Sequence, residues 1–334
     1  MGESEKPVIS IVLLLCLGLF PGGQSVQAAD AAGVAARLRL DADNHFYNLE
    51  YDAALVDYSR LIELDPSGPV SYNSLASTYL YRELFRLGLL ESALFGMENR
   101  FLTQRRVRME PDAKAAFLSA LENARAAAEA MKAAHPSSAI PDYALCTSSG
   151  LRATEFFMIE KAWFAALRSG KKAKNYCENA LRKNPEFLDP YLTLGVNEYV
   201  VGSLPLPVKI LAAIGGEHGS KSRGIEFVRR VAEHGDRDRD NARILLAVLY
   251  RREKRPLAAA ALLESLLAEY PHNYLFELEM AQAYAEGRDF SRAREVLRGF
   301  LRSAIAAGDP ARQNQASRLS ERIERMESRS RRGE

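Results

Sequence analysis

Leu49-Glu-Tyr-Asp-Ala-Ala-Leu-Val-Asp-Tyr-Ser-Arg-Leu-Ile-Glu-Leu-Asp-Pro66 is the stretch on which the fold turns. Tyr51, Ala54, Tyr58 and Leu61 recur at spacings of three and four, which puts them on one face of a helix. Pro66 then ends it, because proline lacks the N–H a helix needs and clashes with the preceding turn. A second helical pattern follows at once through Tyr72, Leu75, Ala76 and Tyr79. The small side chains Ala54 and Ala76 let paired helices approach closely, and the large ones fill the gaps to the next pair.

The same arrangement recurs along the chain. One copy ends at Pro185 and runs into Tyr191, Leu194 and Gly195; another uses Leu246, Ala247, Tyr250, Ala259, Leu263 and Pro271. A third starts at Tyr274, carries Met280, Ala281 and Tyr284, and turns at Gly287-Arg-Asp289 into a second helix; a weaker copy ends at Pro136. In this register the chain resembles the tetratricopeptide-repeat family, whose unit is about 34 residues of two antiparallel helices. The resemblance covers most of residues 31–306. Residues 190–300 are also loosely similar to the fungal inclusion-body-clearance family and its animal tetratricopeptide relatives.

The fold expected is therefore all-α, a tetratricopeptide-like α-solenoid of antiparallel helix hairpins spanning 29–306. The terminal prolines are not evenly spaced, which predicts two insertions, at about 81–110 and 203–234. Residues 307–334 mix Glu and Arg at helical spacing and read as a C-terminal capping helix with a basic tail.

Composition agrees with a packed helical protein. Hydrophobic residues make up 47% and charged residues 26%, and 45 basic against 43 acidic residues leave a net charge of +2. That balance gives no sign of nucleic acid as a partner. At the N-terminus, residues 8–20 are almost unbroken apolar sequence, too short to span a bilayer at about 20 residues. Pro21-Gly22-Gly23 and the small residues of Val26-Gln27-Ala28 follow, the pattern of a secretory signal peptide cleaved after Ala28. An uncleaved anchor is the alternative. Leu15 before Cys16 is not the small residue a lipoprotein site requires. The expected location is the periplasm or cell envelope.

Cys146 and Cys177 remain after removal of such a leader. Trp163, Ala166, Gly170, Ala173, Cys177 and Ala180 form a stripe that predicts one helix of about six turns. A turn near Glu160-Lys161 would set the two cysteines at the same height on facing helices. A disulfide and two buried free thiols are both compatible with that placement.

Sites for chemistry are scarce. Gly215-Gly216-Glu217-His218-Gly219-Ser220-Lys221 has the wrong glycine spacing for a phosphate-binding loop and the wrong order of Ser and Lys. The five histidines, at 45, 135, 218, 234 and 272, show no metal-ligand spacing. No histidine lies near either cysteine in sequence to activate it, and the carboxylates are scattered over helix faces. No enzyme, cofactor, metal or small-molecule substrate is expected.

The family resemblance implies instead a protein partner on the inner wall lined by first helices. Repeat positions 5, 9, 12 and 13 give Asn73, Ser77, Tyr81, Leu192, Val196, Tyr199, Val248, Arg251, Arg252 and Gln282. The Lys and Asn pattern that members clamping a C-terminal carboxylate use is absent from these positions. The function expected is a non-enzymatic interaction scaffold of the cell envelope. A second expectation is a membrane-surface contact by the apolar and basic segment 84–108, through Phe95, Phe101, Arg105 and Arg106.

Overall fold

A computed structural model describes residues 22–90, 107–203 and 218–332. These residues form thirteen α-helices: α1 (Gly22–Tyr47), α2 (Tyr51–Leu64), α3 (Pro69–Arg86), α4 (Pro111–Ala134), α5 (Ile140–Glu155), α6 (Trp163–Lys183), α7 (Pro190–Gly202), α8 (Lys221–His234), α9 (Arg239–Arg252), α10 (Pro256–Glu269), α11 (Tyr274–Glu286), α12 (Phe290–Ala306) and α13 (Pro310–Arg332). A π-helical turn, Phe156–Glu160, separates α5 from α6.

Proline sets many of the boundaries. Pro69, Pro111, Pro190 and Pro256 open helices, where the missing N–H costs nothing. Pro66, Pro136, Pro185 and Pro271 each stand two residues past a helix end. The turns inside hairpins use one left-handed residue. Leu49, Lys254 and Arg288 have φ near +60°, and the next residue donates its N–H to the carbonyl five positions back. Lys161 does the same at the α5–α6 corner, but Ala162 reaches six back, to Phe156, because the π turn holds one more residue.

Each helix packs on the next wherever the connection is short, and α3 also touches α5, α5 touches α7 and α11 touches α13. The odd-numbered helices are thus first helices on an inner wall, with the even-numbered ones behind them. Ala54, Ala76 and Ala247 are fully buried. Gly195 on α7 meets Gly224 on α8, and a Cβ on either would lie under 3 Å from the other's carbonyl oxygen. Glycine is required there because no other residue allows so close an approach.

Two points differ from expectation. The helix through Ile225, Val228 and Val231, placed by sequence in an insertion, is α8, the ordinary second helix paired with α7. The array is also not open-ended. The α1–α2 corner meets the α10–α11 corner: Asn48 Oδ1 accepts the His272 N–H at 2.9 Å, and the Tyr47 and Tyr270 rings lie 5.0 Å apart. Phe85 on α3 approaches Tyr274 on α11 at 6.2 Å. One buried apolar cluster accordingly runs from Ala42 and Phe46 to Phe276, Phe300 and Ile323.

Candidate partner-binding surface

Contacts between hairpins decide which of the expected wall residues reach solvent. Asn73 is buried; its amide donates to the Ala144 carbonyl at 2.8 Å and its Oδ1 accepts from Ser148 at 2.6 Å, tying α3 to α5. Tyr81 is mostly covered and sits edge-on to Phe46 at 5.5 Å. Tyr199 is buried and its hydroxyl donates to Glu253 at 2.8 Å; burial and that carboxylate push its pKa up to about 12. Val248 is buried as well. All four were expected to face a partner; instead Val248 is buried, and Asn73, Tyr81 and Tyr199 contact neighbouring hairpins.

Arg251 is the clearest correction. It is buried, paired with Glu279 and, at 2.7 Å, with Glu286, so it locks α9 to α11 rather than meeting a ligand. Burial pushes the Glu279 carboxyl up to about 7, against the pull of the Arg251 charge. Gln282 is half-buried and donates to Glu286 at 3.1 Å. Ser77 and Leu192 are half-buried. Only Val196 and Arg252 of the expected wall residues are exposed, and Val200 on the next turn of α7 is exposed beside Val196.

Several carboxylates expected on solvated faces are buried and satisfied. Asp142 takes Lys132 and Lys183, each at 2.7 Å, clipping α4 and α6 to α5. Asp189 accepts the N–H groups of Asp236, Arg237 and Asp238 at 3.0–3.3 Å and so fixes the α8–α9 corner. Sequence offered no signal for these, since each partner is remote in the chain. Behind α7, a cleft of about 360 Å³ lies between α6 and α8, lined by Lys174, Glu178, Tyr191, Leu194, Asn197, Glu198, Arg223 and Phe227. Arg223 pairs with Glu198 at 2.8 Å across it, so the cleft carries mixed charge.

Cys146 on α5 and Cys177 on α6 form a disulfide, with their Cα atoms 5.3 Å apart. Trp163, expected at the head of the same buried stripe, is instead over one-third exposed. The stripe is buried at Ala173, Cys177 and Ala180, where α5 and α7 cover it, and loosens at Gly170, where an added Cβ would meet nothing within 4 Å.

Of the segment 84–108, Leu84, Leu89 and Leu90 are core residues, so that part is not membrane-facing. Phe95, Phe101, Arg105 and Arg106 lie outside the described residues, as do the proposed insertion residues 91–106 and 204–217. Among the described residues no group of three or more His, Cys, Asp or Glu could hold a metal, and no helix is long and apolar enough to cross a membrane.

The corners, the small-residue contacts and the ladder of pairs define an all-α protein of repeated helical hairpins. The tetratricopeptide-repeat family model matches residues 250–304, from the end of α9 into α12, and the stacked helical hairpins agree with that match. Among solved structures it is similar to a thermophilic TPR protein of Thermus thermophilus, at 19% identity over 74% of this chain and 96% of that one, with a TM-score of 0.38. No curated protein matches it. Tetratricopeptide repeats generally mediate protein–protein interaction.

Proposed function

We propose that the chain is a non-enzymatic scaffold of the cell envelope, exported by its first 28 residues, that docks a protein partner on the open part of the inner wall. One observation carries this. Val196 and Val200 are 40% and 47% exposed on a first helix, whereas Val248, at the position of Val196 on α9, is buried. Two exposed valines one turn apart on α7, which Gly195 seats closely on α8, give an apolar strip suited to an extended or helical peptide.

A photo-crosslinking residue placed at 196 or 200 tests it, with position 56, an exposed valine on the outer helix α2, as control. The reading requires a discrete adduct from 196 or 200, absent from 56 and lost when the neighbouring valine is changed to Glu. No adduct from α7, or the same adduct from all three sites, would remove its basis. N-terminal sequencing of the mature chain tests export separately: it should begin at Ala29.

A further inference from the structure

The corner between α5 and α6 presents the two most exposed large apolar side chains among the described residues: Phe164 at 80% and Leu167 at 65%. Trp163 and Phe157 stand beside them, each more than one-third exposed, with their rings edge to face at 5.0 Å. The next turns of the same face of α6 carry Arg168, Lys171 and Lys172, all exposed. Lys161 to Lys174 contains five basic residues and no acidic one, in a chain whose charges otherwise nearly balance. The adjacent carboxylate, Glu160, is held by Lys114 at 2.5 Å, so it does little to offset that charge.

An aromatic and leucine tip with a collar of a single charge sign is poorly matched to a protein partner, whose recognition usually needs a mixed polar rim. It does match an anionic bilayer. Trp and Phe favour the headgroup boundary, Lys and Arg keep their ammonium and guanidinium groups among the lipid phosphates, and each basic residue adds attraction. Lys171 stands about 10 Å along the helix from Phe164, comparable to the depth an interfacial helix occupies. The Cys146–Cys177 bridge fastens the same two helices behind the tip, so the apolar group is presented on a rigid mount.

We propose that the α5–α6 corner is a peripheral docking site for anionic lipid surfaces. This inference is independent of protein docking on α7. Trp163 is the only tryptophan in the chain, so its fluorescence reports this corner alone.

The full chain, mixed with vesicles of phosphatidylethanolamine and phosphatidylglycerol at low salt, should co-sediment with a blue-shifted Trp163 emission. High salt should reverse both. Vesicles of phosphatidylcholine should do neither. Phe164→Glu with Leu167→Glu, or Lys171→Glu with Lys172→Glu, should each weaken binding by at least about tenfold. All four side chains are exposed, and unchanged helicity with an intact disulfide would show that the fold survives. The proposal is overturned by absence of binding to anionic vesicles, by binding without a change in Trp163 emission, or by equal binding to the neutral vesicles. Self-association abolished by Phe164→Glu, with no vesicle binding, would assign the face to a second copy instead and equally overturn it.

Discussion

Asn273 donates its side-chain amide to the backbone carbonyl of Tyr47 at 2.6 Å, across 226 positions of sequence. The bond is buried and joins the first hairpin of the array to the fifth and sixth. With the Asn48–His272 hydrogen bond and the Tyr47–Tyr270 ring contact, it makes a chain of neighbouring hairpins into a closed body. Replacing Asn273 with Ala strands the Tyr47 carbonyl away from water, which costs about 1–3 kcal/mol. Denaturant unfolding should register that loss. Small-angle scattering should also show a larger radius for the variant if this contact holds the ring shut; an unchanged radius and midpoint would mean that closure rests on the Asn48–His272 bond and the aromatic contacts instead.

Gly195 offers a test of hairpin packing with competing terms. In an exposed helix, Gly→Ala gains about 1 kcal/mol of helix propensity. Here the added Cβ would lie 2.8 Å from a Val228 methyl and 2.9 Å from the Gly224 carbonyl oxygen. Backbone cannot yield as a side-chain end can, so the steric cost of about 1–3 kcal/mol should win. Gly195→Ala is expected to melt below wild type and Gly195→Leu lower still, with Ala54→Leu destabilised for the same reason. A Gly195→Ala variant of raised melting temperature would show that α7 and α8 are not nested as described.

What was legible in the sequence is local. Ala54, Ala76, Gly195 and Ala247 announce close helix pairs because a small residue amid large ones has few other uses, and the prolines mark ends that no helix can pass. Closure was not legible. It depends on rotations that accumulate over several hairpins, and nothing near Asn273 in sequence points to Tyr47. The wall residues were misread for a related reason: a position rule assigns Arg251 to an open groove, while its fate is set by Glu279 and Glu286 on the next hairpin, whose side chains the position rule does not see. Trp163 was misplaced because a stripe of apolar residues shows which face is buried but not where along the helix the covering neighbours stop.

The bridge between Cys146 and Cys177 spans 31 residues. Loop-closure entropy for such a span stabilises the folded state by about 3–4 kcal/mol. Cys146→Ser is therefore expected to lower the unfolding free energy by that order, and reduction of wild type should do the same while leaving the double Cys→Ser variant unaffected. Thiol titration of the unfolded, unreduced mature chain checks the bond directly: none should react, and two reactive thiols would reject it.

Asp238 gives a pH dependence whose sign is fixed. Burial, with repulsion from Asp189, raises its pKa from 3.8 to about 6, against hydrogen bonds from Asn241 and Tyr143. A carboxyl with a raised folded pKa holds its proton more tightly in the native state than in the unfolded chain. Its contribution is full below about pH 4 and is lost as pH rises to about 6. At one pKa unit per 1.36 kcal/mol, the loss is on the order of 2–3 kcal/mol. Asp238→Asn keeps a carbonyl to accept from Tyr143 and removes the charge, so it should unfold at higher temperature than wild type at pH 7. The gap should shrink steadily towards pH 4, where wild type carries the proton too. Other carboxyls, such as Asp142 with its two lysines, are lowered and lose stability in acid, so the variant-minus-wild-type difference is the quantity to follow. A difference that stays constant from pH 4 to 7 would show that Asp238 titrates normally and that the α8–α9 corner is far wetter than its packing implies.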